Sequence, residues 1–136
     1  MNPVARSHWD RAAAALRGAE QIVEDDPDGA ASRAYYAVFH AVSALFALEG
    51  KSFTKHSGVE TAVHRDLVRT GRWPMEIGAA YSSVLNARIT GDYGAEDRIS
   101  AEGAREAIRS AKMVLNAVLQ ASPEPLDEPS GREPPQ

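Results

Sequence analysis

The sequence predicts an all-α fold: an antiparallel bundle of about five helices, followed by an acidic, proline-rich tail. Three observations carry this. Apolar side chains recur at helical spacing in several separate segments. One segment, GAASRAYYAVFHAVSALFAL, is apolar on nearly every side, as a helix at the centre of a bundle must be. No stretch shows the sustained apolar–polar alternation that a half-buried strand requires.

The first helix is expected from about His8 to Glu24. Ser7-His8-Trp9-Asp10 fits a helix-start signal, and Trp9, Ala13, Leu16, Ala19 and Val23 form one stripe. Asp25, Asp26 and Pro27 are expected to end it. The second, about Gly29 to Leu48, is the buried one, its alanines letting neighbours approach closely and Gly50 closing it. Its polar members Arg33, Tyr36, His40 and Ser43 fall on one face. After the loop KSFTKH, Ser57-Gly58-Val59-Glu60 reads as a capping box opening a third helix, about Gly58 to Arg69. Trp73-Pro74 leads into a fourth, about Met75 to Ile89, with Ile77, Tyr81, Val84, Leu85 and Arg88 on one stripe. The glycines of TGDYGAEDR mark a loop. Ser100 then caps a fifth, about Ala101 to Gln120, which carries Ile108, Ala111, Leu115, Val118 and Leu119. Short joints between such helices imply antiparallel neighbours.

The 136 residues, 43% hydrophobic and 25% charged, make one domain, residues 1–120, able to bury a core unaided. The tail, residues 121–136, holds too little large apolar surface to offset its ordering entropy and is expected to be disordered. It also holds most of the net charge of −4, because four of its residues are acidic against Arg132 alone. The near-neutral body lacks the strongly basic footprint of a protein that grips many phosphates. With no cysteine, disulfides and thiolate metal sites are excluded. No segment reads as a signal peptide or a membrane span, so the expected location is cytoplasmic, with no membrane partner. Four histidines without close acid–histidine spacing make no metal site, and no glycine-rich phosphate loop follows a strand, so no cofactor is expected.

On the second helix, Ser32-Arg33-Ala34-Tyr35-Tyr36-Ala37-Val38-Phe39-His40-Ala41 resembles the SRAYYAxFHA signature of HEPN-domain proteins. Three further blocks resemble the family in the right order: Lys55-His56-Ser57-Gly58-Val59, Leu67-Val68-Arg69-Thr70-Gly71, and Arg88 with Asp92-Tyr93-Gly94. The resemblance runs from about Ser7 to Leu119, close to that of small stand-alone members associated with toxin–antitoxin systems. It implies a helical bundle that forms a homodimer and works with a nucleotidyltransferase-type partner. Many family members cleave RNA as toxins. In those, an arginine is followed at short spacing by a histidine, and two such pairs meet across a dimer in a metal-independent site. Histidine exchanges protons near neutral pH, and arginine offers a fork of donors to a phosphate.

No histidine follows Arg88 in that window. Arg33 and His40 have the right spacing, but on the signature helix. The catalytic candidates are therefore Arg33, His40 and Arg88, with Tyr36, His56, Asp92 and Tyr93 as candidates for binding. Each also has a plainer reading. Arg33, Tyr36 and His40 fit a buried polar cluster that fixes helix packing, and Arg88 with Asp92 fits a structural ion pair. His56 fits a solvated loop residue. Tyr93 loosely resembles a tyrosine that is adenylylated in some family toxins. His8 and His64 suggest no role. Three functions stay open: one half of a two-component toxin–antitoxin-like pair, a ribonuclease with an atypical site, and a non-catalytic scaffold or substrate-binding subunit.

Overall fold

The computed structural model describes residues 2–93 and 98–126, the side chains of Asp92 and Tyr93 excepted. Among these residues the fold is wholly helical, in the order α1 (Pro3–Ile22), α2 (Pro27–Leu48), α3 (His56–Ala62, continuing through π-helical turns at Val63–Val68), α4 (Met75–Tyr93) and α5 (Ala101–Ala121). The bundle expected from the periodicity is the one observed.

Several boundaries differ, each for a local reason. Helix α1 starts more than a turn before His8. Asn2 caps it, its side-chain oxygen accepting from the Ala5 amide at 2.7 Å, and Pro3 takes the first helical position. An Asn-Pro start outcompetes Ser7, since proline's fixed φ and missing N–H both suit that place. Helix α1 ends at Ile22, ahead of Asp26 and Pro27 as expected, and these two also open α2: Asp26 accepts from the Gly29 amide at 3.0 Å. The capping box at Ser57 does not form. Helix α3 begins two residues earlier than expected, at His56, after a Lys55 that makes no side-chain cap. Helix α4 continues past Ile89 through the expected loop glycine Gly91. A Cβ at Gly91 would lie 3.3 Å from the backbone of Asp28, so the bare position lets α4 pass closely by the first turn of α2. The rest of that expected loop, residues 94–97, lies outside the described residues. The cap at Ser100 forms as expected, accepting from the Gly103 amide at 3.0 Å.

End contacts give the directions. The Asn2 side chain donates to the Ala47 carbonyl at 3.1 Å, so α1 starts where α2 finishes. Gly91 and Ile99 both meet Asp28, so α4 ends and α5 begins beside the start of α2. Glu24 pairs with Arg105 and Glu20 with Lys112, so α5 runs back along α1. Four long helices thus alternate in direction, and α3 lies within the connection from α2 to α4. Helix α2 touches α1, α3, α4 and α5. Its Ala30, Ala34, Ala37, Ala41 and Ala44 are fully buried, bringing backbones together around Tyr35, Val38, Val42, Leu45 and Phe46. Trp9, Leu16, Tyr81 and Leu115 fill the same core from the other helices. Beyond α5, Leu126 packs against this core, and residues 127–136 lie outside the described residues. Among the described residues, no helix is long and apolar enough to cross a membrane.

Candidate functional site

The buried alanine face of α2 leaves its other side to larger, partly polar residues. Tyr36, Phe39 and His40 are half-buried there, and three other helices bring side chains to them. Helix α1 supplies His8, whose Nδ1 lies 3.0 Å from His40 Nδ1. The first residue of α3, His56, packs its ring on Phe39 with centroids 4.1 Å apart and meets Tyr36 edge-on at 5.8 Å. Helix α4 supplies Arg88. Its guanidinium lies over the rings of Tyr35 and Tyr36 at 5.0 and 5.3 Å, and Nη2 donates to the Tyr36 hydroxyl at 3.4 Å. Tyr36 in turn lies against His40, with centroids 6.4 Å apart.

The sequence-derived candidates divide accordingly. Tyr36, His40, His56 and Arg88 meet in one cluster. Arg33 does not join it: its side chain is exposed and its stem crosses Gly18 of α1, where an added Cβ would sit 3.1 Å from Arg33 Cδ. Arg33 takes no part in the hydrogen bonds and ring contacts of the cluster. The proposed ion pair of Arg88 with Asp92, and any role for Tyr93, rest on side chains outside the described residues. His8 was not singled out by the sequence, because its partner lies on another helix. His64 forms a separate contact, Nε2 to Ser82 Oγ at 3.0 Å, in the π-helical segment.

The cluster's electrostatics follow from partial burial beside fixed positive charge. Loss of water around His40, then repulsion from His8, Arg11 and His56, pushes its pKa down to about 4. His8 is lowered by burial and then by Arg11, and His56 by burial and then by Arg88. Near neutral pH the site therefore holds three uncharged imidazoles beside a permanently charged guanidinium. Uncharged imidazole is a base, and the guanidinium is a donor to oxyanions. Among the described residues, no group of three or more histidine, aspartate or glutamate side chains is arranged to hold a metal ion.

The HEPN-domain family model matches residues 5–121. A Thermotoga maritima protein named "UPF0332 protein" is 43% identical over 89 residues, which are 65% of this chain and 67% of that protein. A Methanocaldococcus jannaschii protein named "Putative toxin MJ0142" is 29% identical over 108 residues, which are 79% of this chain and 74% of that protein. The match spans all the long helices and every member of the cluster, and so the chain belongs to the HEPN-domain family.

Proposed function

We propose that the chain is a toxin-associated HEPN protein that cleaves RNA without a metal ion, with Arg88 and His40 as its working pair. The observation that carries this reading is the convergence of Arg88 and His40 on one half-buried tyrosine, Tyr36. In this reading the histidine missing after Arg88 is supplied from another helix. The toxin name of the archaeal relative supports the same reading.

The chemistry uses groups already in place. Uncharged His40 takes the proton from a ribose 2′-hydroxyl. The resulting oxygen attacks the adjacent phosphorus, and the bond to the 5′-oxygen of the next nucleotide breaks, leaving a 2′,3′-cyclic phosphate. Arg88 donates to the phosphate oxygens as negative charge builds. The leaving 5′-oxygen takes a proton from water, since the uncharged His56 has none to give. In this reading the protein acts as a homodimer, and a nucleotidyltransferase-type partner restrains it.

The test is incubation of the purified protein with single-stranded RNA in excess EDTA. Cleavage is expected, and Arg88→Ala or His40→Ala should slow it by about 100-fold or more. Intact RNA after long incubation with clean, folded protein would sink the proposal. One observation favours a second reading, a non-catalytic half of a nucleotidyltransferase pair: the net charge of −4 suits a protein partner better than a polyanion. That reading expects intact RNA, together with a stable complex when the two proteins are expressed together.

A further inference from the structure

The contact between His8 and His40 constrains where protons sit. Two imidazole Nδ1 atoms 3.0 Å apart make a hydrogen bond only when one of them carries hydrogen and the other is bare. If His40 is the donor, its second nitrogen, Nε2, is left bare at neutral pH, which is the state a base needs. His8 is then the acceptor, with its own hydrogen on Nε2. Other charged or titratable groups surround this pair. Arg11 on α1, Tyr36 on α2 and His56 on α3 act on it directly, and Arg88 on α4 lies one contact further out, against Tyr36 and His56. None of these is a carboxylate, so among the described residues a proton arriving at His40 finds no anion beside it. His8 is the nearest group that can take it. It also lies closer to the surface than His40 and is repelled by fewer cationic neighbours.

We propose that His8 is the positioning residue for His40: it fixes His40 with hydrogen on Nδ1 and Nε2 free, and receives the proton that His40 takes up. The step balances. His40 gains a proton at Nε2 and gives its Nδ1 proton to His8 Nδ1. His40 ends neutral in the other tautomer, and His8 ends as imidazolium. The relay half of this inference rests on the reading of the cluster as an RNA-cleaving site. The tautomer half is measured without RNA.

Two variants separate the halves. His8→Ala removes both acceptor and proton store. His8→Asn places an amide oxygen near the position of the His8 Nδ1, so it still accepts from His40 but takes up no proton. Nitrogen-15 NMR of the histidine rings in the full chain, near pH 7.5, reads the tautomer directly. Wild type and His8→Asn should show His40 protonated at Nδ1, and His8→Ala should shift it toward the Nε2-protonated form usual for a free imidazole. His8→Ala should also raise the His40 pKa, because a repelling neighbour is lost. A wild-type His40 protonated at Nε2, or a His40 signal indifferent to His8→Ala, overturns the assignment whether or not RNA is cleaved. In the cleavage assay, His8→Asn should lower kcat by about tenfold with KM unchanged. Unchanged kcat in His8→Asn, with RNA cleavage present in wild type, refutes the relay while leaving the site itself standing.

Discussion

The His40 ring should make this fold sensitive to acid, and the size of the effect follows from its surroundings. Its pKa lies at about 4 in the folded chain against 6.5 for a free imidazole. The unfolded chain therefore binds more protons than the folded one between those values. Stability is full above about pH 6.5 and is lost as pH falls toward 4. A tenfold change in proton affinity corresponds to about 1.4 kcal/mol, so a fully dry ring would account for roughly 3 kcal/mol. His40 is only half-buried, and water screens part of this, leaving about 2 kcal/mol. Carboxylates titrate over the same range, so the measurement is a difference. Urea unfolding of wild type and of His40→Gln is compared at pH 7.5 and at pH 4.5. Wild type should lose about 2 kcal/mol more than the variant between the two conditions, a relative fall in midpoint of about 1 M. His8 and His56 are shifted in the same direction and stay in both proteins, so their share largely cancels. Parallel losses in the two proteins, or an NMR titration of His40 centred near 6.5, would refute the reasoning. Either would mean that the ring is well hydrated and that the site is not the desolvated cluster described above.

Three further outcomes test the packing that holds the site. Gly78→Ala should destabilise the fold by about 1–3 kcal/mol, because the new Cβ would lie 2.8 Å from Val68 Cγ2 and 3.3 Å from the His64 ring; adding Val68→Ala should recover part of the loss in thermal unfolding. Tyr81→Phe should leave stability unchanged or raise it by up to about 1 kcal/mol, since its buried hydroxyl has no hydrogen-bond partner among the described residues; a loss of more than about 1 kcal/mol in urea unfolding would show that the nearby Tyr35 does satisfy it. Trp9→Ala should cost about 3–5 kcal/mol by chemical denaturation, because the ring is 1% exposed between the helices of the α1–α2 hairpin and the core.

Much of the fold was legible because it is written in local periodicity. The all-round apolar character of residues 29–48 marked α2 as central, and Ala30, Ala34, Ala37, Ala41 and Ala44 are fully buried along with Val38, Val42, Leu45 and Phe46. The ends were less legible where two start signals competed. Asn2-Pro3 and Asp26-Pro27 each combine a capping side chain with a proline at the first helical position; the first prevailed over Ser7, and the second had been read only as a stop. The π-helical turns of Val63–Val68 left no mark in the spacing, and Gly91 read as a loop residue because its reason for being glycine lies in α2, across the bundle. The site shows the same division. Tyr36, His40, His56 and Arg88 were each visible as polar residues in apolar or signature blocks. Arg33 shared their face by count, yet its exposed side chain runs over Gly18 instead. A shared helical face fixes the direction of Cβ and not the path of a long side chain.

His8 was hidden for a reason that also explains how the site is built. Two helices joined by a tight turn run antiparallel with the same rise per residue, so residues equally far from the turn become neighbours. The α1–α2 turn lies at residues 23–26, and His8 and His40 are each about sixteen residues from its centre, so their meeting follows from hairpin register rather than from any motif. The chain thus gathers two imidazoles and, through Tyr36, a guanidinium from three packed helices, without relying on the spacing of one. Such a site is only as exact as the hairpin that aligns it. Core substitutions along α1, Trp9 and Leu16 above all, should therefore disturb the His8–His40 contact before they unfold the bundle, whereas exposed pairs such as Arg105 with Glu24 should leave it intact.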